Sequence, residues 1–207
     1  MKQVTIALAK GRLGEKGLEL FKNTEMEIIK DKNSRKLVFE NQEESITYIF
    51  VKPSDVITYV EKGVADLGIV GKDMILEEDK EVYELMDLDY GKCYFAIAGF
   101  KDQTTVKKND VLRIASKYPN YVKRIFKDRG QRVEVIKLGG SIELAPVIGL
   151  SDLIVDIVET GNTLRENGLV VLEKLDSISA RLIANKSSYR LKNKSIKRIL
   201  KIIGGDQ

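Results

Sequence analysis

Short apolar runs alternate with amphipathic segments along the whole chain, and this constrains the fold more than any other feature. An apolar run of four to seven residues bounded by turn residues reads as a buried strand. Apolar residues three and four apart read as a helix. Strands interleaved with helices build parallel sheets with helices packed on them, so the class is α/β. Strands are expected at Val4–Ala9, Glu27–Lys30, Lys36–Glu40, Thr47–Val51, Leu67–Val70, Cys93–Gly99, Arg113–Ala115, Arg132–Ile136, Leu153–Val158, Leu169–Glu173 and Ser179–Asn185. Helices are expected at Gly14–Asn23, Ser54–Lys62, Met74–Glu78, Pro119–Asp128, Ser141–Ile148, Asn162–Asn167 and Ser195–Ile203. Capping residues, Pro near the first turn and Gly after the last set several of these bounds.

The segment from about Cys93 to Lys174 is a self-contained β-α-β-α-β series. The residues after it hold too few elements to form a domain alone, so they are expected to return to the first half. The expected organisation is a discontinuous domain of residues 1–92 plus 175–207 and a second of residues 93–174. Two lobes with two crossovers leave a cleft between them, a usual place for a ligand.

The chain has no histidine and one cysteine, Cys93, among 207 residues. Imidazole bases, His-ligated metals, an internal disulfide and cysteine clusters are excluded. Any catalysis falls to carboxylates, Lys, Arg, hydroxyls, backbone amides or a borrowed metal. Lys and Arg number 35 against 31 Asp and Glu. That excess is too small and dispersed for a nucleic-acid binder, yet it suits a small anionic ligand. No apolar run approaches a membrane span, and a single cysteine fits a reducing cytoplasm.

The densest polar signal follows the strand that carries Asp152 and Asp156. The turn Glu159-Thr160-Gly161-Asn162-Thr163 lets backbone approach a phosphate, and its threonines can donate hydroxyl hydrogen bonds. An ordinary capped strand-to-helix turn has the same local sequence; the acidic residue upstream and the Gly between two Thr favour a phosphate. Asp156 stands where α/β folds place ligand contacts and suits sugar hydroxyls or magnesium. Lys10-Gly11-Arg12 follows the first strand and could grip a pyrophosphate, or form a solvated basic turn. Arg35 precedes another strand. The stretch Asp66–Asp73, with Gly71, Lys72 and Asp73 at its end, could face a phosphate or a purine, or serve only as a tight junction.

Together these segments resemble the short-form catalytic subunits of ATP phosphoribosyltransferase, the first enzyme of histidine biosynthesis. The family signature is filled by Glu143, Gly149, Ser151, Ile154, Asp156, Thr160, Gly161, Thr163 and Leu164. ALAKGRL at 7–13, SRKL at 34–37, ADLGIVGKD at 65–73, ASKYPN at 115–120 and ARLIAN at 180–185 are similar to the family in the same order. The resemblance implies a two-lobed fold like the type II periplasmic binding proteins. It implies a reaction between N1 of ATP and C1 of phosphoribosyl pyrophosphate (PRPP), with magnesium accompanying PRPP and no metal site assigned to the protein itself. By position, Glu159, Thr160, Gly161, Asn162 and Thr163 would hold the 5′-phosphate, and Asp156 would face the ribose. Lys10, Arg12 and Arg35 would bind the leaving pyrophosphate, and Gly71, Lys72 and Asp73 would help place ATP. A histidine-binding C-terminal domain is not expected after the Ser195–Ile203 helix. The implied partner is a regulatory subunit resembling histidyl-tRNA synthetase, in a hetero-octamer of four plus four.

Such a reaction suits a chain without imidazole. Adenine N1 carries no proton to remove, and the leaving group needs charge neutralised rather than a proton donated. Two other readings remain open. A PRPP enzyme of the commoner fold usually has two adjacent acids before its Thr-Gly-x-Thr turn, whereas here Ile157 follows Asp156. A solute receptor would share the implied fold but should carry an export signal.

Overall fold

The protein is described from a computed structural model that covers residues 3–29, 35–101 and 111–204. The chain divides into two compact units, Met1–Gly91 with Ser179–Gln207, and Lys92–Ile178. It begins in the first unit with β1 (Val4–Ala9), α1 (Arg12–Glu19), β2 (Val38–Asn41), β3 (Ile46–Val51) and α2 (Pro53–Glu61). β4 (Leu67–Gly71), α3 (Lys72–Glu78) and β5 (Val82–Asp87) follow. The second unit holds β6 (Cys93–Gly99), β7 (Leu112–Ser116), α4 (Pro119–Asp128), β8 (Val133–Lys137), α5 (Leu144–Val147), β9 (Leu153–Val158), α6 (Asn162–Glu166) and β10 (Val170–Ile178). The chain then returns to the first unit with β11 (Ala180–Asn185), α7 (Lys186–Leu191) and α8 (Asn193–Gly204).

The first unit is built on a six-stranded sheet in the order β2-β3-β1-β4-β11-β5. β1 runs parallel to both β3 and β4, while β11 is antiparallel to β4 and β5. The central strands are buried on both faces, as parallel strands covered by helices must be. Ile196 and Ile199 of α8 join Ile6, Leu8, Tyr48, Ile69 and Leu182 in the core, which explains that helix's apolar spacing. The second unit has a five-stranded sheet, β10-β6-β9-β7-β8, with β7 parallel to β8 and β9. One side of its core joins Ile154 and Val158 of β9 to Leu164 and Leu169. Elsewhere in the unit Phe95 stacks on Tyr121 with ring centroids 4.1 Å apart.

Several expected elements differ. Residues 27–29 of the expected Glu27–Lys30 strand have no strand pairing, and Lys30 lies outside the described residues. Side chains hold this segment in place of a ladder. Asn41 donates to the carbonyls of Glu25 and Glu27 at 2.9 and 3.1 Å, and the Tyr48 hydroxyl donates to that of Met26 at 2.8 Å. Residues 31–34, between this segment and the next expected strand, also lie outside the described residues. The first helix starts at Arg12 and ends at Glu19, because residues 20–23 tighten into turns that close on left-handed Asn23 (φ 59°). β5 and α7 add to the expected elements. β5 is an edge strand carrying Glu84 and Asp87, so it lacks an apolar run. α7 is six residues long and starts on Asn185, whose side chain accepts from the amides of Ser187 and Ser188 at 3.0 and 2.9 Å. α5 keeps only Leu144–Val147, and β10 extends to Ile178.

Candidate active site

In an open α/β sheet, ligands settle outside the carboxyl ends of parallel strands, where neighbouring strands send the chain in opposite directions. Each unit has one such point. In the first, β1 leads through α1 towards β2 and β3, while β4 leads through α3 towards β5. In the second, β7 leads through α4 to β8, while β9 leads through α6 to β10. The expected site residues fall at these two points.

The second unit's point is formed by the ends of β7 and β9. Ser116 pairs in register with Val155, and its hydroxyl donates to the Val155 carbonyl at 2.6 Å while accepting the Tyr118 amide at 2.9 Å. Asp156 follows on β9, on the same face as Ile154 and Val158 by strand alternation. Its carboxylate accepts from the Ile157 amide at 2.8 Å. The turn is anchored at both ends by buried Val158 and Leu164, while Glu159, Thr160, Asn162 and Thr163 are exposed. Gly161 is left-handed at φ 74°, a conformation that suits glycine and opens α6 immediately.

Arg165 folds back over this turn. Its guanidinium donates to the Thr160 carbonyl at 3.3 Å and to the Asn162 side-chain oxygen. It fixes the loop and adds positive charge beside it. The sequence reading did not include Arg165, although its place four residues after Gly161 on a helical turn was the available signal.

Asp152 has a different role from Asp156. It accepts from the Arg113 guanidinium at 2.6 and 3.3 Å and from the Arg113 amide at 2.9 Å. These hydrogen bonds hold its carboxyl below the usual carboxylate range. It fastens the amino end of β9 to β7, away from the turn.

In the first unit, β1 and β3 pair through Ala9 and Val51, and the Lys10 amide donates to the Val51 carbonyl at 2.8 Å. Lys10, Arg12 and Arg35 are all exposed at the carboxyl end of these strands. α1 reaches that end only because residue 14 is glycine. A Cβ there would overlap the Ala9 carbonyl oxygen and stand 2.8 Å from its carbon. On the neighbouring strand, Gly71 ends β4 and lies against α1: a Cβ on it would stand 3.8 Å from Leu13. Lys10, Arg12 and Gly71 therefore belong to one strand-end region, with Lys72 and Asp73 opening α3 beside it.

Lys72 is engaged by Glu84, which also pairs with Arg181 at 3.3 Å; Arg181 reaches Asp87 at 2.9 Å. A nucleotide using the Lys72 ammonium would have to compete with Glu84. Asp66 stands at the opposite, amino end of β4 and is buried at 4% exposure. It accepts from the Thr5 amide at 2.8 Å, the Ser188 hydroxyl at 2.6 Å and the Lys192 ammonium at 2.7 Å. Its role is to bind β1, β4 and the last helices together. Among the described residues no group of three or more acidic or cysteine side chains could cage a metal ion, and no helix is long and apolar enough to cross a membrane.

The family model described as "HisG: ATP phosphoribosyltransferase" matches residues 52–205. The chain is 54% identical over 202 residues to an ATP phosphoribosyltransferase of Clostridioides difficile, covering 98% of this chain and 97% of that protein. It is 55% identical over 193 residues to one of Caldicellulosiruptor bescii, covering 91% and 92%. Its structure is similar to that of a chain from the "ATP phosphoribosyl transferase (HisG:HisZ) complex from Thermotoga maritima". The TM-score is 0.86 at 35% identity, with 98% and 97% of the two chains covered. These relatives extend the likeness across residues 1–51, which hold Lys10, Arg12 and Arg35.

Proposed function

The chain belongs to the ATP phosphoribosyltransferase family, and from that membership we propose how its residues divide the reaction. The activity is transfer of the phosphoribosyl group of PRPP to N1 of ATP with release of pyrophosphate, the first step of histidine biosynthesis. The N1 lone pair forms the new bond to C1 of the ribose. The C1–oxygen bond breaks, and its electron pair leaves with pyrophosphate. Positive charge grows on the sugar and negative charge on the leaving group.

The turn at Glu159–Thr163 takes the 5′-phosphate: backbone amides and the Thr160 and Thr163 hydroxyls donate, and Arg165 holds the loop in shape. Asp156 meets the ribose hydroxyls. Lys10, Arg12 and Arg35 take the pyrophosphate and stabilise the charge that develops on it. Gly71 and Asp73 contribute to ATP placement, with Lys72 after exchange from Glu84. The observation that carries this assignment is the topology: both sets of residues stand at carboxyl strand ends where the chain reverses its sense of winding.

Magnesium enters as part of the substrate. It is ordinarily bound through one or two carboxylates, water and substrate phosphates, and Asp156, close to the proposed phosphate turn, is a carboxylate that could contribute. As a short-form catalytic subunit, the chain is proposed to work in the cytoplasm with a regulatory subunit resembling histidyl-tRNA synthetase, in a hetero-octamer of four plus four. The test is to incubate it with ATP, PRPP and magnesium, with and without that subunit, and to measure pyrophosphate. Pyrophosphate formed only when both substrates are present is expected; none in either condition would refute the assignment.

A further inference from the structure

The pairing of β1 with β3 brings one more cation to the pyrophosphate end of the first unit. The strands run in register from Val4 beside Ile46 to Ala9 beside Val51. The hydrogen bond from the Lys10 amide to the Val51 carbonyl, 2.8 Å, closes the last pair of that ladder. Lys10 and Lys52 each follow directly on that last pair, so both backbones leave the sheet at the same carboxyl end. On the other edge of β3, the Phe50 amide donates to the Leu37 carbonyl at 2.8 Å, which extends the antiparallel pairing of β2 towards Arg35. Arg35 thus reaches the end of β3 that Lys52 occupies. Lys52 is exposed and immediately precedes α2.

Two lysines close together repel unless an anion lies between or above them, and no described residue supplies one. Lys10, Arg35 and Lys52 make no ion pair with another described residue. Asp55, the carboxylate nearest Lys52 in sequence, accepts from the Ser54 hydroxyl at 3.0 Å. Its amide donates to the Lys52 carbonyl at 2.9 Å, so what Lys52 gives its own helix is backbone and its side chain remains available. A surface lysine carried on a flexible stem is an ordinary solvated group. Two lysines that leave neighbouring parallel strands at the same carboxyl end stand where α/β folds place ligands, and their charges favour an anionic one.

We propose that Lys52 binds the polyphosphate handled by Lys10, Arg12 and Arg35, a reading that rests on the assignment of those three residues above. The shared ligand chemistry is a chain of esterified or free phosphates, supplied either by the pyrophosphate of PRPP or by the triphosphate of ATP. Lys52 acts by electrostatic attraction, so a guanidinium should replace it and an isosteric neutral chain should not.

The test compares the wild-type full chain with Lys52→Met, Lys52→Arg and Arg12→Ala, under conditions that give turnover. It measures KM for PRPP, KM for ATP and product inhibition by magnesium pyrophosphate. Loss of one charge–phosphate contact should weaken the affected constant about tenfold. Lys52→Met is expected to do this, and Lys52→Arg to restore it to within about threefold. Weakening of PRPP and pyrophosphate together identifies the pyrophosphate as the ligand. Weakening of ATP alone identifies the triphosphate; either result supports the proposal. If Lys52→Met leaves all three constants within twofold while Arg12→Ala lowers kcat or weakens a constant, Lys52 is outside the site and the parent assignment stands. If neither variant changes kcat or any of the constants, the parent assignment fails as well. Equal losses in Lys52→Met and Lys52→Arg, at unchanged melting temperature, would also overturn a charge-based role.

Discussion

Asp152, just ahead of β9, and Asp156, within it, lie four apart and differ in their partners. Asp152 is held ionised by hydrogen bonds from Arg113, so its folded pKa lies below its unfolded one. A depressed carboxylate adds stability where the unfolded group is already charged and loses it as pH falls through the folded value. Asp152→Asn should therefore lower the urea midpoint above about pH 4, with the gap to wild type closing at lower pH. A gap that stayed constant down to acid unfolding would show that the ion pair contributes nothing. The site residues separate by kinetics. Arg12→Ala or Arg35→Ala should lower kcat more than it raises KM for PRPP, because the charge they meet appears mainly in the transition state. Thr163→Val should instead weaken PRPP binding; normal PRPP affinity would remove the phosphate from that turn. The turn was legible because its residues are contiguous. Arg165 and the proposed Lys52 were not, because one folds back across a turn and the other is placed only by where a paired strand ends.

At the level of elements, apolar runs were legible where both faces of a strand are buried, as in β1, β4, β6 and β9. Edge elements were harder. β5 alternates apolar residues with acids that pair with Arg181 and Lys72, so its pattern is that of a polar loop. The 27–29 segment reads as apolar because Met26 and Ile28 pack inward, yet it makes no ladder. α1 starts hard against the end of β1. Gly14→Ala would push a methyl group into the Ala9 carbonyl and displace the first turn that carries Arg12. A loss of about 1–3 kcal/mol is expected, read as a lower melting midpoint, together with reduced turnover. A variant as stable and as active as the parent would show that α1 can shift without consequence.

The whole molecule is two α/β units of related logic, each with three adjacent parallel strands (β3, β1 and β4 in the first, β9, β7 and β8 in the second), further strands in antiparallel pairing, and one reversal of winding at its candidate ligand end. The alternation of apolar and amphipathic segments made the α/β class readable, and the polar clusters after β1, β4 and β9 fall at carboxyl strand ends. Strand order was not readable, since nothing local states that β11 lies between β4 and β5. That placement has a consequence for how the protein is made. Residues 92–178 are contiguous, so the second unit can close as soon as its last strand leaves the ribosome. The first unit cannot. Its β4 and β5 each wait for a neighbour separated from them by the entire second unit. Asp66 waits longer still, for Ser188 and Lys192. Until then the unit displays two unpaired strand edges and an uncompensated acid, the features chaperones bind and aggregation exploits. The order of synthesis thus leaves the first unit, with its proposed pyrophosphate site, as the last to become native.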